Sequence, residues 1–118
     1  MHRYRSLEAW KVARRLSLTV LEKTDDHYHP RARSLFDQLR RAAISVELNI
    51  VEGYALQSPA QYRRHLRIAF GSAAETECVL ELVAAREYLP AETSRELLDL
   101  TDNTLGLLFG LIRKLPGE

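Results

Sequence analysis

One stretch constrains the fold of this chain more than any other. Tyr62, Leu66, Ala69, Ala73, Thr76, Leu80 and Val83 follow one another at alternating steps of four and three residues. That is a heptad seam with one polar member, the pattern of helices packed side by side at about 20°. Its start is marked by Ser58-Pro59-Ala60-Gln61: an N-capping serine, a proline at the first helical position and a glutamine at the third. The helix is predicted over 59–87, ahead of Pro90.

Three further stretches share its period. The first is predicted over 7–23, capped by Ser6, with Glu8 in the positive first turn. Trp10, Ala13, Leu16, Val20 and Leu21 line one side, and Lys11, Arg14 and Arg15 lie on the other. A polar loop from Thr24 to Arg33 follows. The second helix is predicted over 35–55, with Ser34 and Asp37 as a box-like cap in which Asp replaces the usual Glu. Leu35, Leu39, Ala42, Val46, Asn49 and Gly53 trace one stripe. Phe36, Ala43, Ile44, Leu48, Ile50 and Val51 widen it, so this helix has more than one neighbour.

The fourth helix, over 91–114, carries leucine nearly all round: Leu97, Leu98, Leu100, Leu105, Leu107, Leu108 and Leu111. Arg113 and Lys114 suit its negative C-terminal end, and Pro116-Gly117 stops it. So much leucine implies a second burying surface, most economically another copy of the chain.

At 118 residues the chain fits one domain, 1–118. A chain of this size buries roughly 65% of its unfolded surface. With 5 Gly and 4 Pro it has too few turn formers for a loop-rich all-β protein. Four helices with short connections predict an all-α, antiparallel up-down-up-down four-helix bundle. The single cysteine, Cys78, excludes an intrachain disulfide and fits a reducing compartment. No run of about 18 apolar residues is present, so no membrane span is expected. Met1 to Arg5 lead straight into an amphipathic stretch rather than a signal peptide. A cytoplasmic protein is the expectation.

A turn near Gln57-Ser58 would set Glu52 level with Arg63, and Ala42 and Ala43 level with Ser72 and Ala73. Small residues then meet around Gly71, and close backbone approach would offset its helical cost of about 1 kcal/mol. Gly53 plays a similar part or marks a C-cap. Asn49 and Glu52 interrupt an otherwise apolar helix. Buried polar groups are normally satisfied. The structural reading therefore gives these two hydrogen bonds to helix ends, or pairs them with Arg63 and Arg67. The functional reading makes them a ligand or nucleic-acid contact.

The net charge of +1 hides an asymmetry. Residues 1–71 hold 13 Lys/Arg against 7 Asp/Glu, and residues 72–118 hold 4 against 9. The basic half would attract phosphate. The candidate nucleic-acid contacts are Lys11, Arg14, Arg15, Arg40, Arg41, Arg63, Arg64 and Arg67. Arginine suits phosphate because its planar fork donates two hydrogen bonds at once. The alternative is that the opposite fields stabilise the bundle or its self-association. Nothing in the chain has the pattern of an enzyme. It lacks the Glu-x-x-His pairs of a two-metal bundle, a phosphate-binding loop, a nucleophile elbow and a zinc-spaced Cys/His set. No catalytic residue, metal or cofactor is expected.

The string Gln38-Leu39-Arg40-Arg41-Ala42-Ala43-Ile44-Ser45, then Asn49-Ile50-Val51-Glu52-Gly53, resembles the central motif of the ribosomal-RNA intervening-sequence protein family. Ile68, Ala69, Gly71, Ser72 and Glu75 resemble a second motif of that family. Leu7, Trp10, Ala13, Leu66, Ala74 and Glu77 extend the likeness over nearly the whole chain, with Tyr28-His29-Pro30 where the family often has Phe-Pro. The resemblance makes Asn49, Glu52, Gly53, Gly71, Ser72 and Glu75 structural motif positions. It implies a left-handed four-helix bundle that assembles as a homo-oligomer, typically a pentameric ring, with no established enzymatic activity. Some family members are encoded inside insertions in large-subunit ribosomal RNA genes. A similar bundle accompanies the reverse transcriptase of diversity-generating retroelements and binds that enzyme and nucleic acid. The expected partners are further copies of the chain in a pentamer, together with RNA, DNA or a reverse-transcriptase-like protein. The alternative is a purely structural or protein-interaction scaffold without nucleic-acid binding. No membrane partner is expected.

Overall fold

The computed structural model describes residues 3–116, which form four α-helices and no strand. Helix α1 spans Glu8–Asp26, α2 Arg33–Ala55, α3 Pro59–Ala85 and α4 Ala91–Lys114. Short 3-10 turns at Arg3–Ser6 and Pro30–Ala32 precede α1 and α2. Helices α1 and α3 each pack against both α2 and α4, so the four stand in chain order round a square. Side-chain pairs fix their directions. Arg14 meets Glu47 while Ser17 meets Ala43, and Ser45 meets Ser72 while Asn49 meets His65. In each pair one number rises as the other falls, so α1 and α3 both run antiparallel to α2.

The core has two halves along the long axis of 44 Å. One joins Leu16 and Val20, Phe36 and Leu39, Leu80 and Val83, and Leu97. The other joins Trp10 and Ala13, Val46 and Ile50, Leu66 and Ala73, and Leu108. The first gathers the C-terminal halves of α1 and α3 with the N-terminal halves of α2 and α4. The second gathers the opposite halves, as an up-down-up-down order requires. Every member of the heptad seam from Leu66 to Val83 is buried, and Tyr62 at its head is half-buried.

Buried hydroxyls mark the level between the two halves, and each is satisfied on a main-chain carbonyl. Thr76 Oγ1 donates to the Ser72 carbonyl at 2.8 Å, and Thr101 and Thr104 donate to the Leu97 and Leu100 carbonyls at 2.7 Å. Ser17 Oγ donates to the Ala43 carbonyl at 3.4 Å. Hydroxyls bonded in this way carry no desolvation penalty of an unmade bond, unlike the buried Ser94 Oγ and Trp10 Nε1, which have no hydrogen-bond partner among the described residues.

Several helix ends depart from the sequence expectation. Ser6 does not cap α1. Its Oγ donates to the Arg3 carbonyl at 2.8 Å and closes the 3-10 turn, leaving Leu7 as an N-cap without a side-chain bond. Helix α1 runs almost a turn into the expected polar loop, because Thr24 is fully buried and its hydroxyl donates to the Val20 carbonyl at 2.7 Å. Helix α2 starts at Arg33 directly out of the Pro30–Ala32 turn. No extended residue precedes it to hold a Ser34–Asp37 box, and Asp37 pairs with Arg40 instead. Ser58 does cap α3, its Oγ accepting from the Gln61 N–H at 3.4 Å. Helix α3 ends in a paired-carbonyl cap: Glu87 N–H donates to Ala84 O at 3.1 Å and Tyr88 N–H to Val83 O at 3.0 Å. Helix α4 covers the predicted 91–114, and Gly117, expected to help stop it, lies outside the described residues.

The leucines of α4 do not form the spare face expected of them. Leu97 and Leu108 are fully buried. Leu98 and Leu100 flank one half of the core, and Leu105, Leu107 and Leu111 flank the other. Because α4 touches both α1 and α3, its flanks are interfaces inside the chain. The large apolar side chain it leaves outward is Phe109. A row of apolar side chains lies instead on the outside of α2, where Ile44, Leu48, Val51 and Ala55 share one face and Leu48 is 58% exposed. Among the described residues no helix is long and apolar enough to cross a membrane.

Candidate nucleic-acid interface

The motif positions of α2 and α3 bind those helices to each other. A Cβ placed on Gly53 would lie 2.7 Å from His65 Cβ, so here the α2 backbone sits directly on the α3 side chain. Gly71, expected to play this part, is exposed and would meet nothing within 4 Å. The register explains the exchange: Ser45, not Ala42 or Ala43, stands opposite Ser72, their hydroxyls 2.9 Å apart. Asn49 donates to the Ser45 carbonyl at 2.9 Å and to Ser45 Oγ at 3.2 Å. Its Oδ1 therefore faces His65 Nδ1, at 3.0 Å, as the acceptor. Glu52 Oε2 lies 3.9 Å from His65 Nε2. Asn49 and Glu52 thus converge on His65, where bonds to helix ends or pairs with Arg63 and Arg67 were expected. His65 is 6% exposed and was passed over in the sequence. The signal that could have found it is a polar residue next to Leu66 in the seam, across the turn from Asn49.

The eight candidate cations do not share one surface. Lys11 pairs with Glu8 at 3.3 Å, and Arg14 pairs with Glu47 at 3.1 Å while lying over the Trp10 ring. Arg40 pairs with Asp37, and Arg41 donates to Gln38 at 3.0 Å. Arg15 shares a cleft with Glu92, Glu96 and Asp99 of α4. Helices α1 and α3 occupy opposite corners of the square, so the cations of α1 cannot join those of α3. Arg63, Arg64 and Arg67 do come together, lining with Ala60 and Ile68 a groove of about 720 Å³ on α3. Glu47 carries a buried carboxylate that the sequence reading assigned no part, and Arg14 neutralises it. A buried charge left without such a partner would be costly.

Folding also redistributes the charge. With each helix divided at its midpoint, the half holding both described chain ends comprises residues 3–17, 44–72 and 103–116. That half carries 10 Lys/Arg against 3 Asp/Glu. The other half, residues 18–43 and 73–102, carries 7 against 12. The asymmetry between the two parts of the sequence becomes a polarity along the bundle axis, with a basic end and an acidic end. The arginine groove of α3 lies in the basic half. Among the described residues no group of three His, Cys, Asp or Glu is placed to hold a metal ion.

The family described as 23S rRNA-intervening sequence protein matches residues 5–110. The chain belongs to that family. Its fold is also that of a crystal structure of a protein of unknown function, from the S23 ribosomal protein family of Bacteroides thetaiotaomicron. The two superpose with a TM-score of 0.80 at 23% identity, over 90% of this chain and 99% of the other. No curated protein matches the chain. In this intervening-sequence protein, Asn49, Gly53 and Ser72 build the α2–α3 contact, while Gly71 and Glu75 are exposed on α3.

Proposed function

We propose that this intervening-sequence protein is a non-enzymatic homo-oligomer that binds nucleic acid at its basic end. The observation that carries the reading is the axial charge polarity, with Arg63, Arg64 and Arg67 grouped on α3 inside the basic half. A field of one sign at one end steers a polyanion toward that end and away from the other. Arginines three and four residues apart on one helix offer successive phosphates a fork of donors. Self-association is supported by the outer row of Ile44, Leu48, Val51 and Ala55 on α2, which a second copy would cover. Repeating the basic end in every protomer makes a modest patch multivalent.

The competing reading is a protein-interaction scaffold. It is favoured by the pairing of Lys11, Arg14 and Arg40 with carboxylates of the same chain. Fluorescence anisotropy of labelled single-stranded RNA and DNA over a salt series separates the two. The expected result is an affinity that falls steeply with salt, and an Arg64→Ala variant whose salt slope is lower by about one. Absence of binding at low salt overturns nucleic-acid recognition and leaves the scaffold. Sedimentation equilibrium tests the oligomer separately, and a monomer at every concentration overturns that half of the proposal.

A further inference from the structure

The basic end also holds a concavity, beside the arginine groove of α3. Arg3, Tyr4, Tyr54, Gln57, Ser58 and Tyr62 line a cavity of about 830 Å³ beside Leu115 and Pro116. That is a volume suited to a small organic ligand. Its lining offers three aromatic rings and one cation, and no acidic side chain among the described residues. Tyr54 and Tyr62 meet edge to face, their centroids 5.8 Å apart and their planes at 90°, so each ring fixes the other. Burial, and then Tyr54 beside it, pushes the Tyr62 phenol above its usual value. At the rim Gln57 holds a left-handed backbone at φ 55°, a conformation that costs a non-glycine residue energy. The arginine groove starts on the same turn of α3: Pro59 and Tyr62 face the cavity, Ala60 and Arg63 the groove.

We infer that this end pocket receives one unstacked base of a single-stranded nucleic acid, its ring against the tyrosines and its phosphate at Arg3, with the strand continuing along the Arg63–Arg67 groove. The inference rests on the nucleic-acid binding proposed above and adds to it a preference for single strands. Every base offers a flat face to an aromatic ring, so such a site tolerates sequence. A duplex keeps its bases stacked and cannot enter. An apolar cavity alone would accept any greasy ligand. Arg3 and the positive field of this end select an anionic one.

A short oligothymidylate carrying a terminal 2-aminopurine, and the duplex of the same length, test it. The expected result is tighter binding of the single strand, with 2-aminopurine emission quenched on the tyrosines. Tyr54→Ala should weaken single-strand binding about five-fold or more, abolish the quench and leave duplex binding unchanged. Tyr54→Phe keeps the ring and should keep both signals. Arg3→Ala lies ahead of α1, keeps the main-chain carbonyl that Ser6 uses, and should weaken the single strand alone. If Tyr54→Ala and Arg3→Ala both retain the wild-type ratio of single-strand to duplex affinity, the pocket is overturned and the proposed function stands. If the wild-type protein binds neither probe at low salt, both are overturned.

Discussion

The two ends of the bundle share one turn geometry and are filled differently. At each end a helix–helix turn places a non-glycine residue in the left-handed region, Gln57 at φ 55° and Glu87 at φ 56°. Each end also carries a cavity, of about 830 Å³ at the basic end and about 670 Å³ at the acidic one. The acidic end is packed by large side chains: Leu16, Phe36, Leu39, Leu80 and Leu97 are all fully buried. The basic end uses Ala9, Ala13, Ala69 and Ala73 around Trp10, Ile50, Leu66 and Leu108. Small residues there let α2 and α3 close on each other through Gly53, and they leave room for Ser45, Asn49 and His65 to pair across the contact. Bulk anchors one end, while the other carries the polar pairs across α2 and α3 and the positive charge. The basic end has one helix–helix turn and both described chain ends, and the acidic end has two turns, so the likeness between the ends is confined to the Gln57 and Glu87 turns.

If this comparison holds, the two ends fail differently when mutated. Phe36→Ala empties a site with 0% exposure in the anchoring half and should cost about 3–5 kcal/mol in urea unfolding. Gly53→Ala adds one methyl group where the nearest atom is only 2.7 Å away. It gains about 1 kcal/mol of helix propensity, yet it must push α2 from α3, and overpacking typically costs about 1–3 kcal/mol. The net should be a smaller loss than at Phe36, with the Asn49–His65 pair loosened. A neutral or stabilising Gly53→Ala would remove the close contact on which the contrast between the ends depends.

The paired turns give a weaker and more symmetric effect. A left-handed non-glycine residue costs roughly 1–2 kcal/mol, of which glycine returns part as unfolded-chain entropy. Gln57→Gly and Glu87→Gly should each raise stability by about 0.5–1 kcal/mol in thermal melts. Glu87→Gly should gain slightly more, because it also removes a negative charge from the negative end of α3. A loss at either position would show that its side chain holds the turn, and the likeness of the two turns would no longer apply.

How much of this was legible in the sequence depends on how far each feature reaches. The seam from Leu66 to Val83 and the Ser58–Gln61 cap are local, and both stand in the structure as read. Ser6 and Ser34 looked like equally good caps. Both were displaced by 3-10 turns, whose formation depends on how the chain enters the bundle. Gly53 and Gly71 look alike in sequence, since each interrupts a helix. Which one meets a neighbour is decided by the rotation of α3 relative to α2, a quantity set by the turn at Leu56–Ser58. The same rotation brings His65 to Asn49. The axial polarity was hidden for a related reason: antiparallel packing interleaves distant segments, so charges that divide one way along the chain divide another way in space. Arg63, Arg64 and Arg67 remain together because they share one stretch of one helix.

The finest contrast between the ends concerns the Tyr62 phenol. Its pKa lies above the ordinary 10.0, first because of burial and second because of Tyr54. The unfolded chain therefore releases this proton at a lower pH than the folded chain does. Between the two values the native state holds more protons, and stability falls as pH rises. Below the ordinary value both states are protonated, and nothing is lost. Urea unfolding at intervals from about pH 8 to about pH 11 should show a steeper decline at the alkaline end for the wild-type protein than for Tyr62→Phe, which has no proton to release. The effect is small, since the side chain is only half-buried. Parallel curves would mean that water reaches the phenol freely. The basic end would then be an open rim and not a walled pocket, and the contrast between the two end cavities would reduce to charge.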